Sequence, residues 1–406
     1  MKLVALILVF LVTRLVGLYL ADNPMTYAPR ETSTSGDVAL YAGWADDVVN
    51  RDFRPYGDIL IEYPPGSLPF IVLPALVGGD DGPYRPSFLL LMLIVDAAGL
   101  AGLIVLARRW GNDVGPWLWV LLIPMLGPIV WARLDLIPAV ATIWAVERAA
   151  GGRWLSSGAW LGFGAIAKVY PGFLIPPTFM VAPRRRDFVL GAGVTLILPL
   201  LPYLTSFDGL LKSVVGYHSA RGIQIESIWG SGLFLALERG RDVTLGSNYG
   251  AFHFSGALPT TMKVIALVLT VATIAFGTYL AWRSPRGDVK RLVGIMFATL
   301  VMIEAVGSVF SPQFLIWLFA LGAAALCMHD SAVKLPALML LGIAPMTQLI
   351  YPFFYSEMVQ LDAFPIFVLC ARNLLVLAAG IIAFLSLLGT RSEAPPRPEA
   401  QLAGAT

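Results

Sequence analysis

The sequence predicts an all-α polytopic membrane protein, and its composition and hydropathy pattern both indicate this class. Hydrophobic residues make up 57% of the chain and charged residues only 13%, whereas a soluble domain carries about 25% charged residues. Apolar runs that approach the ~20 residues needed to cross a membrane recur along most of the chain. The pattern differs from that of a membrane β-barrel, in which short segments alternate between apolar and polar residues.

About 12 transmembrane helices are predicted from the apolar segments. The first is interpreted as an uncleaved span and not as a signal peptide, because Arg14 interrupts it and no clear small-residue cleavage site follows. The fifth and sixth form one apolar stretch that breaks at Lys-Val-Tyr-Pro-Gly, which predicts a hairpin of two short helices. The predicted spans are 3–20, 86–107, 116–132, 135–149, 154–167, 171–182, 187–205, 259–282, 292–309, 312–328, 334–351 and 364–388.

The positions of the basic residues predict which loops face outward. With both termini in the cytoplasm, the short inner connections carry many arginines and lysines, as the positive-inside rule requires. Two long loops, about 21–85 and 206–258, then lie on the outer side of the plasma membrane and carry interfacial helices. We expect a single membrane domain over 1–389 and a disordered cytoplasmic tail over 390–406, which is rich in proline and alanine.

The first long loop contains the strongest candidate for a general base. Residues 36–51 are predicted to form an amphipathic helix on which Asp37, Tyr41 and Trp44 share one face. Asp37 would lie in the first turn, where the helix dipole favours a carboxylate that accepts protons at neutral pH. The alternative is a solvated cap on an interfacial helix that Trp44 and Tyr41 anchor.

Two further sequences that lie at the ends of predicted apolar segments contain charged or aromatic residues near prolines. In Glu-Tyr-Pro-Pro-Gly, the prolines either hold Glu62 and Tyr63 over a cavity or simply begin the short segment 64–78. Arg133 and Asp135 lie between two short spans. They either form an internal ion pair, or Arg133 contacts an anionic head group.

Lys168 is the only charged residue between Arg153 and Arg184. The broken hairpin would place its ammonium at the outer tip, where a phosphate is its natural partner. The alternative is snorkelling to lipid phosphates.

The second long loop and the later spans supply the remaining candidates. Spacing predicts that His218 and Arg221 share a helical face, with Gln224 one turn further and Glu226 close by. The alternative is a polar interfacial helix without a ligand. Gln313 follows Pro312 at the start of a span and is a further candidate for ligand contact. Glu304 is either functional or paired with a neighbour such as Arg372.

The sequence lacks the common signatures of soluble enzymes. It contains no P-loop, dinucleotide-binding fingerprint, nucleophile elbow or metal-ligand spacing among its three histidines. No cofactor and no nucleic-acid partner are predicted. A divalent cation held by two first-loop carboxylates stays an open alternative, although no spacing requires it.

Six short sequences, in their order along the chain, resemble the GT-C superfamily of membrane glycosyltransferases. The closest resemblance is to glycosyltransferase family 87, which includes polyprenol-phosphate-mannose-dependent mannosyltransferases of actinobacterial envelope glycolipids. It rests on GDVALYAGWA, EYPPGSLPF, WARLDLIPA, AIAKVYPGFLIP, GYHSARGIQIES and FSPQFLIW.

The resemblance implies a GT-C fold and a site at the outer face of the membrane. The implied donor is a polyprenyl-phosphate-linked sugar, with mannose first and arabinofuranose second, and the acceptor is an envelope glycolipid or glycan. Asp37 would deprotonate the acceptor hydroxyl, and transfer would invert the anomeric configuration. Lys168 would hold the donor phosphate, and His218 and Arg221 would contact phosphate or sugar.

Other side chains are expected to complete this site. Arg133 and Gln313 are grouped with the donor phosphate, while other residues are candidates for sugar or acceptor contacts. The latter are Tyr41, Trp44, Asp58, Glu62, Tyr63, Gln224 and Glu226. Asp46, Asp47, Asp58 and Glu62 are further carboxylates that could share or replace the role of Asp37.

A polytopic transporter or lipid-linked sugar flippase is the main alternative function. Broken helices and buried charges suit a transporter. However, the charged candidates gather at the predicted outer boundary and not at the midplane, and no internal repeat is evident.

Overall fold

The computed structural model describes residues 2–23, 33–78, 83–248 and 250–389. Helices form most of this part of the chain. The α-helices are α1 (Lys2–Asp22), α2 (Ser33–Val49), α3 (Leu68–Gly78), α4 (Tyr84–Trp110), α5 (Val114–Met125), α6 (Leu136–Ala150), α7 (Trp154–Ala167), α8 (Ile175–Val181), α9 (Arg185–Ile197), α10 (Phe207–Leu211), α11 (Tyr217–Ala220), α12 (Ile228–Glu238), α13 (Ala257–Trp282), α14 (Val289–Val306), α15 (Leu315–Ala325), α16 (Lys334–Gln348), α17 (Tyr355–Val359) and α18 (Ala363–Gly389).

Tighter and wider helical turns extend several of these helices. The 3₁₀ segments are Pro65–Ser67, Pro128–Val130, Tyr170–Leu174, Leu198–Ser206 and Pro312–Phe314, and the π segments are Lys212–Gly216 and Leu349–Phe353. Proline is the first or second residue of each of these five 3₁₀ segments, and at these positions its missing N–H costs nothing.

Within the described residues, six helical segments are long and apolar enough to cross a membrane, which makes this a multi-pass membrane protein. They are Leu3–Asp22, Tyr84–Trp110, Arg185–Gly216, Ala257–Trp282, Lys334–Phe353 and Ala363–Gly389. The other six predicted spans coincide with shorter or more polar helices, so the count of twelve crossings stays a prediction. The predicted span 116–132, for example, ends as an α-helix at Met125.

Hydrogen bonds join several helix connections at one end of the bundle. The Asn112 side chain donates to the carbonyl groups of Leu326 and Met328, and His329 bonds to the carbonyl of Gly111. Arg109 also contacts Glu147 near the end of α6, and the N–H of Gly287, between α13 and α14, donates to the carbonyl of Val181 at the end of α8. Most of the basic residues that the positive-inside rule assigned to the cytoplasm lie in or beside the connections α4–α5, α6–α7, α8–α9, α13–α14 and α15–α16. We call this the basic end. The chain alternates direction from helix to helix, so the connections after α1, α7 and α14 lie at the opposite end.

Small residues allow the closest helix contact in the bundle. Gly158 and Gly162 form a Gly-x-x-x-Gly pair on α7 that faces α9. A β-carbon at Gly158 would lie 2.0 Å from the carbonyl oxygen of Phe188, and one at Gly191 would lie 1.9 Å from that of Leu155. Glycine is therefore required on both sides of the α7–α9 contact.

A buried polar network ties α1 to the neighbouring spans. Arg14 and Asp96 are 1% and 0% exposed and form a two-pronged ion pair at 2.9 and 3.3 Å. Both oxygens of Asp96 also accept bonds from the indole N–H groups of Trp119 and Trp131. The pair is fully hydrogen-bonded, as a buried charge pair must be to be tolerated.

The second long loop departs from the all-α prediction. Strands β1 (Ile223–Gln224), β2 (Thr244–Asn248) and β3 (Ala251–Ser255) form an antiparallel sheet in the order β1-β3-β2. Helix α11 ends at Ala220, so the predicted helical face of His218, Arg221 and Gln224 is wrong. The backbone is extended from Arg221 because Ile223 and Gln224 pair with Phe254 and His253 of β3, which lie far along the chain.

Candidate active site

A cavity of about 1380 Å³ lies at the end of the bundle opposite the basic end. The cavity wall contains residues from α2, the segment that precedes α3, the α5–α6 and α7–α8 connections, the second long loop, α13 and α14. Nine of the thirteen predicted site residues line it. They are Asp37, Glu62, Tyr63, Arg133, Lys168, Arg221, Gln224, Glu226 and Gln313.

Asp37 and Arg133 form an ion pair on the cavity wall. Helix α2 begins at Ser33, earlier than predicted, and Asp37 lies beyond its first turn. The expected support from the helix terminus is therefore wrong, and the Arg133 guanidinium supplies the positive charge beside this carboxylate. The alternative pairing of Arg133 with Asp135 is also wrong, because each of these residues has a different partner.

Lys168 is the partner of Asp135. Its backbone is extended between α7 and the following 3₁₀ turn, and its Nζ lies 2.7 Å from Asp135 Oδ1. The ammonium also lies 5.3–5.4 Å from the ring centres of Tyr63, Phe314 and Trp317. These contacts turn Lys168 toward the cavity and not toward lipid.

Arg221 and Lys263 bring two more cations to the cavity. Arg221 lies 3.9 Å from Glu62 and 4.5 Å from the ring centre of Tyr217. Lys263 donates to the carbonyl oxygens of Ser219 and Arg221 at 2.6 and 2.5 Å. Sequence reasoning missed Lys263, although it is the only charged residue of α13 and such a residue marks a functional position by default.

Gln224 holds Glu226 in place. The Gln224 amide donates to Glu226 Oε2 at 2.9 Å and to Ser311 Oγ at 3.0 Å, and its oxygen accepts from the N–H of Phe310 at 2.7 Å. Gln224 therefore fixes neighbouring groups more than it offers itself to a ligand. Burial raises the pKa of Glu226 to about 8, against smaller opposite effects of Arg372 and Arg133.

Tyr41 and Trp44 support the cavity from behind. The Tyr41 hydroxyl lies 2.9 Å from that of Tyr63, and both rings pack against Trp44 at 6.0 and 6.2 Å. Tyr41 is fully buried and Trp44 is half-buried, and neither lines the cavity. The structure therefore gives them a packing role that orients Tyr63, in place of the predicted contact with a sugar.

The last two predicted residues lie away from the cavity or outside the described side chains. Asp58 is exposed and pairs with Arg54 at 3.1 Å, so it does not reach the cavity. The backbone of His218 belongs to α11, but its side chain lies outside the described part of the chain. The disordered tail predicted over 390–406 also lies outside it.

Within the described ranges, no three ligand-type side chains gather around a possible metal position.

These features define a multi-pass membrane protein whose cavity combines several carboxylates with several cations at one end of the helix bundle. The family model described as glycosyltransferase family 87 matches residues 61–312, more than half of the chain. The chain belongs to this family and is a membrane glycosyltransferase. Asp37 and Gln313 lie outside the matched segment, and the other seven predicted residues that line the cavity lie inside it. No curated protein sequence matched the chain.

Proposed function

We propose that the protein transfers mannose from a polyprenyl-phosphate donor to an envelope glycolipid or glycan. The reaction takes place at the extracytoplasmic face of the plasma membrane, in a GT-C fold, and inverts the anomeric configuration. The observation that carries the proposal is the arrangement of Asp37 beside Arg133 in the cavity that also contains Lys168 and Arg221. Such a cavity offers one base and a group of cations for a phosphate.

The ion pair of Asp37 and Arg133 suggests how donor binding prepares the base. A donor phosphate competes with Asp37 for the Arg133 guanidinium, because arginine binds phosphate and carboxylate in the same two-pronged way. Donor binding then leaves the carboxylate of Asp37 available to the acceptor hydroxyl. In this scheme the base becomes active only when the donor is in place.

The transfer step follows from these roles. Asp37 takes the proton of the acceptor hydroxyl, and the hydroxyl oxygen attacks the anomeric carbon of the donor sugar. The bond from that carbon to the phosphate oxygen breaks, and its electron pair leaves with the phosphate. Arg133, Lys168 and Arg221 balance the charge that develops on the departing phosphate. Attack from the face opposite the phosphate gives inversion.

A transfer assay with two matched variants tests the proposal. Membranes with wild-type protein, Asp37→Asn or Asp58→Asn are incubated with labelled polyprenyl phosphate mannose and a lipid extract. We expect Asp37→Asn to transfer about 10²–10⁴-fold more slowly, because removal of a general base costs this much. Asp58→Asn, which changes an exposed first-loop carboxylate away from the cavity, should retain wild-type activity.

The other outcomes separate the parts of the proposal. Full turnover by Asp37→Asn would remove Asp37 as the base and leave Glu62 as the next cavity carboxylate. No transfer by wild type from the mannose donor would contradict the donor sugar, and the same assay with a polyprenyl-phosphate arabinofuranose donor follows. Retention of configuration in the product would contradict the single-displacement step.

A further inference from the structure

A second set of polar residues lines the cavity, and these residues have no role in the transfer step. Glu226, Glu304 and Gln313 are only 2%, 4% and 8% exposed, and all three line the cavity wall. They come from the loop after β1, the end of α14 and the 3₁₀ segment Pro312–Phe314. Three separate elements therefore each contribute one buried polar side chain to the cavity wall.

Two carboxyl oxygens on this surface lack a protein partner. Glu226 uses Oε2 to accept from Gln224, whereas its Oε1 has no hydrogen-bond partner among the described residues. Oε2 of Glu304 is likewise unpartnered within the described ranges. A buried polar atom without a partner is costly, and two such atoms on one cavity wall indicate that a ligand completes them.

A buried arginine compensates the two carboxyl groups from behind the wall. Arg372 is fully buried, donates to the Glu226 carbonyl oxygen at 2.8 Å and lies 4.2 Å from the ring centre of Phe310. It does not line the cavity, and its charge acts on both Glu226 and Glu304. The positive charge thus permits burial of the carboxyl groups, and it forms no hydrogen bond with their two unpartnered oxygens.

Three stacked aromatic residues line the same cavity. The rings of Phe314 and Tyr170 stack on Trp317 with centres 4.1 Å away, and all three residues line the cavity. The indole Nε1 of Trp317 is a further buried atom without a partner among the residues described. The residues of the cavity wall therefore include hydrogen-bond acceptors, a donor and aromatic rings.

We propose that Glu304, Glu226 and Gln313, with Trp317, form a subsite for the hydroxyl groups of a sugar ring. Sugar hydroxyls donate to carboxyl oxygens, and the C–H face of the ring packs on aromatic side chains. A second phosphate would be repelled by the carboxyl groups, and a lipid chain would leave their oxygens unpaired. The inference rests on the proposed glycosyl transfer, and the ring belongs to either the donor or the acceptor.

Glu304→Met tests the subsite, with Thr299→Val as the matched control. Methionine keeps the length of the side chain but removes the unpartnered carboxyl group. Thr299 lies on the same helix, is fully buried and also carries an unpartnered oxygen, but it does not line the cavity. Thr299→Val should melt at or above the wild-type temperature, because it loses a buried unpartnered hydroxyl. Glu304→Met also loses a carboxyl group that interacts with the charge of Arg372, so it should melt at the wild-type temperature or lower while remaining folded.

Binding distinguishes the two variants. The donor arm compares the affinities for polyprenyl phosphate mannose and polyprenyl phosphate by titration calorimetry in detergent. The acceptor arm compares octyl α-mannoside with its monodeoxy analogues. In wild type and Thr299→Val, the ligand with the complete sugar should bind at least about 10-fold more tightly than its comparison ligand in one of the two arms. Glu304→Met should lose this difference in affinity.

Each outcome decides the assignment. Loss of the gain in the donor arm alone assigns the subsite to the donor sugar, and loss in the acceptor arm alone assigns it to the acceptor. The subsite is overturned if Glu304→Met binds like wild type in both arms or if the sugar adds nothing to wild-type affinity. Because binding is measured without turnover, failure of the transfer assay would contradict the proposed function and leave this result intact.

Discussion

At the scale of single residues, Arg133 and Lys168, two cations of the cavity, differ in how firmly their carboxylate partners hold them. The side chain of Asp135 is 0% exposed, and that of Asp37 is 21% exposed. Releasing Asp135 from Lys168 would leave a buried charge unpaired, which is strongly unfavourable. In the proposed reaction, Lys168 therefore keeps this bond and offers its remaining N–H groups to the donor phosphate. Asp37 reaches solvent and can give up Arg133 at lower cost.

Glu226 should make the stability of the protein depend on pH. It lies in the second long loop, outside the predicted spans, and burial raises its pKa from 4.5 to about 8. The folded protein therefore holds this proton more tightly than the unfolded chain does. Its contribution to stability is complete below about pH 4.5 and is lost as the pH rises through about 8.

Melting curves of Glu226→Gln check this prediction. We expect the wild-type melting temperature to fall between pH 6 and pH 9, and the fall to be smaller in Glu226→Gln, since glutamine resembles the protonated side chain and cannot ionise. Arg372 and Arg133 act on Glu226 from neighbouring elements and limit the size of the effect. Parallel curves for the two proteins would mean that Glu226 does not titrate in this range.

At the scale of elements, the start of α3 is locked against the break after α7. The Ser67 hydroxyl donates to the Ala167 carbonyl oxygen at 2.5 Å. A β-carbon at Gly66 would lie 2.7 Å from the carbonyl carbon and oxygen of Ile166. This contact sets the position of Tyr63 relative to Lys168, because each residue lies within three positions of it along its own segment.

Gly66→Ala should therefore disturb both stability and activity. The added methyl group meets backbone that cannot move aside as a side chain would, and such overpacking costs about 1–3 kcal/mol. The resulting shift of Tyr63 and Glu62 should also lower kcat/KM, because displacements near 1 Å reduce catalysis by about 10²-fold. Thermal melting and the mannose-transfer assay measure the two effects.

Gly43→Ala is the matched control for this substitution. Gly43 lies within α2, and a β-carbon there would meet no atom within 4 Å. Alanine in a helix is more stable than glycine by about 1 kcal/mol, so this variant should melt at or slightly above the wild-type temperature. Equal behaviour of Gly43→Ala and Gly66→Ala would show that the α3–α7 contact does not position the site.

The same elements show what the sequence can and cannot predict. Helix α2 follows from local features, because serine and threonine precede a segment with one apolar face. Strand β1 has only two residues and exists because β3 pairs with it, so no local pattern around Gln224 distinguishes it from a helix. The ion pairs of Arg133 and Lys168 are equally non-local. The sequence placed charges at one boundary, but their partners depend on how the spans pack.

At the scale of the whole molecule, the protein has two chemically different ends. Arginines and lysines cluster around the connections of the basic end, and the cavity with its carboxylates lies at the other. The positive-inside rule places clustered basic residues in the cytoplasm. If the bundle crosses the membrane in this orientation, the cavity opens to the extracytoplasmic side, where lipid-linked donors would enter it.

Cysteine labelling in intact cells tests this orientation. Asn50 is exposed at the cavity end, and Arg286 is exposed in the connection between α13 and α14 at the basic end. A membrane-impermeant maleimide should label Asn50→Cys directly and Arg286→Cys only after the membrane is opened. The native Cys327 is buried and Cys370 is partly buried within α18, so the wild-type protein gives the background signal. The reverse labelling pattern would put the cavity in the cytoplasm. Polyprenyl-phosphate sugars would then have to be used on that side, and the proposed extracytoplasmic reaction would be wrong even if Asp37 is the base.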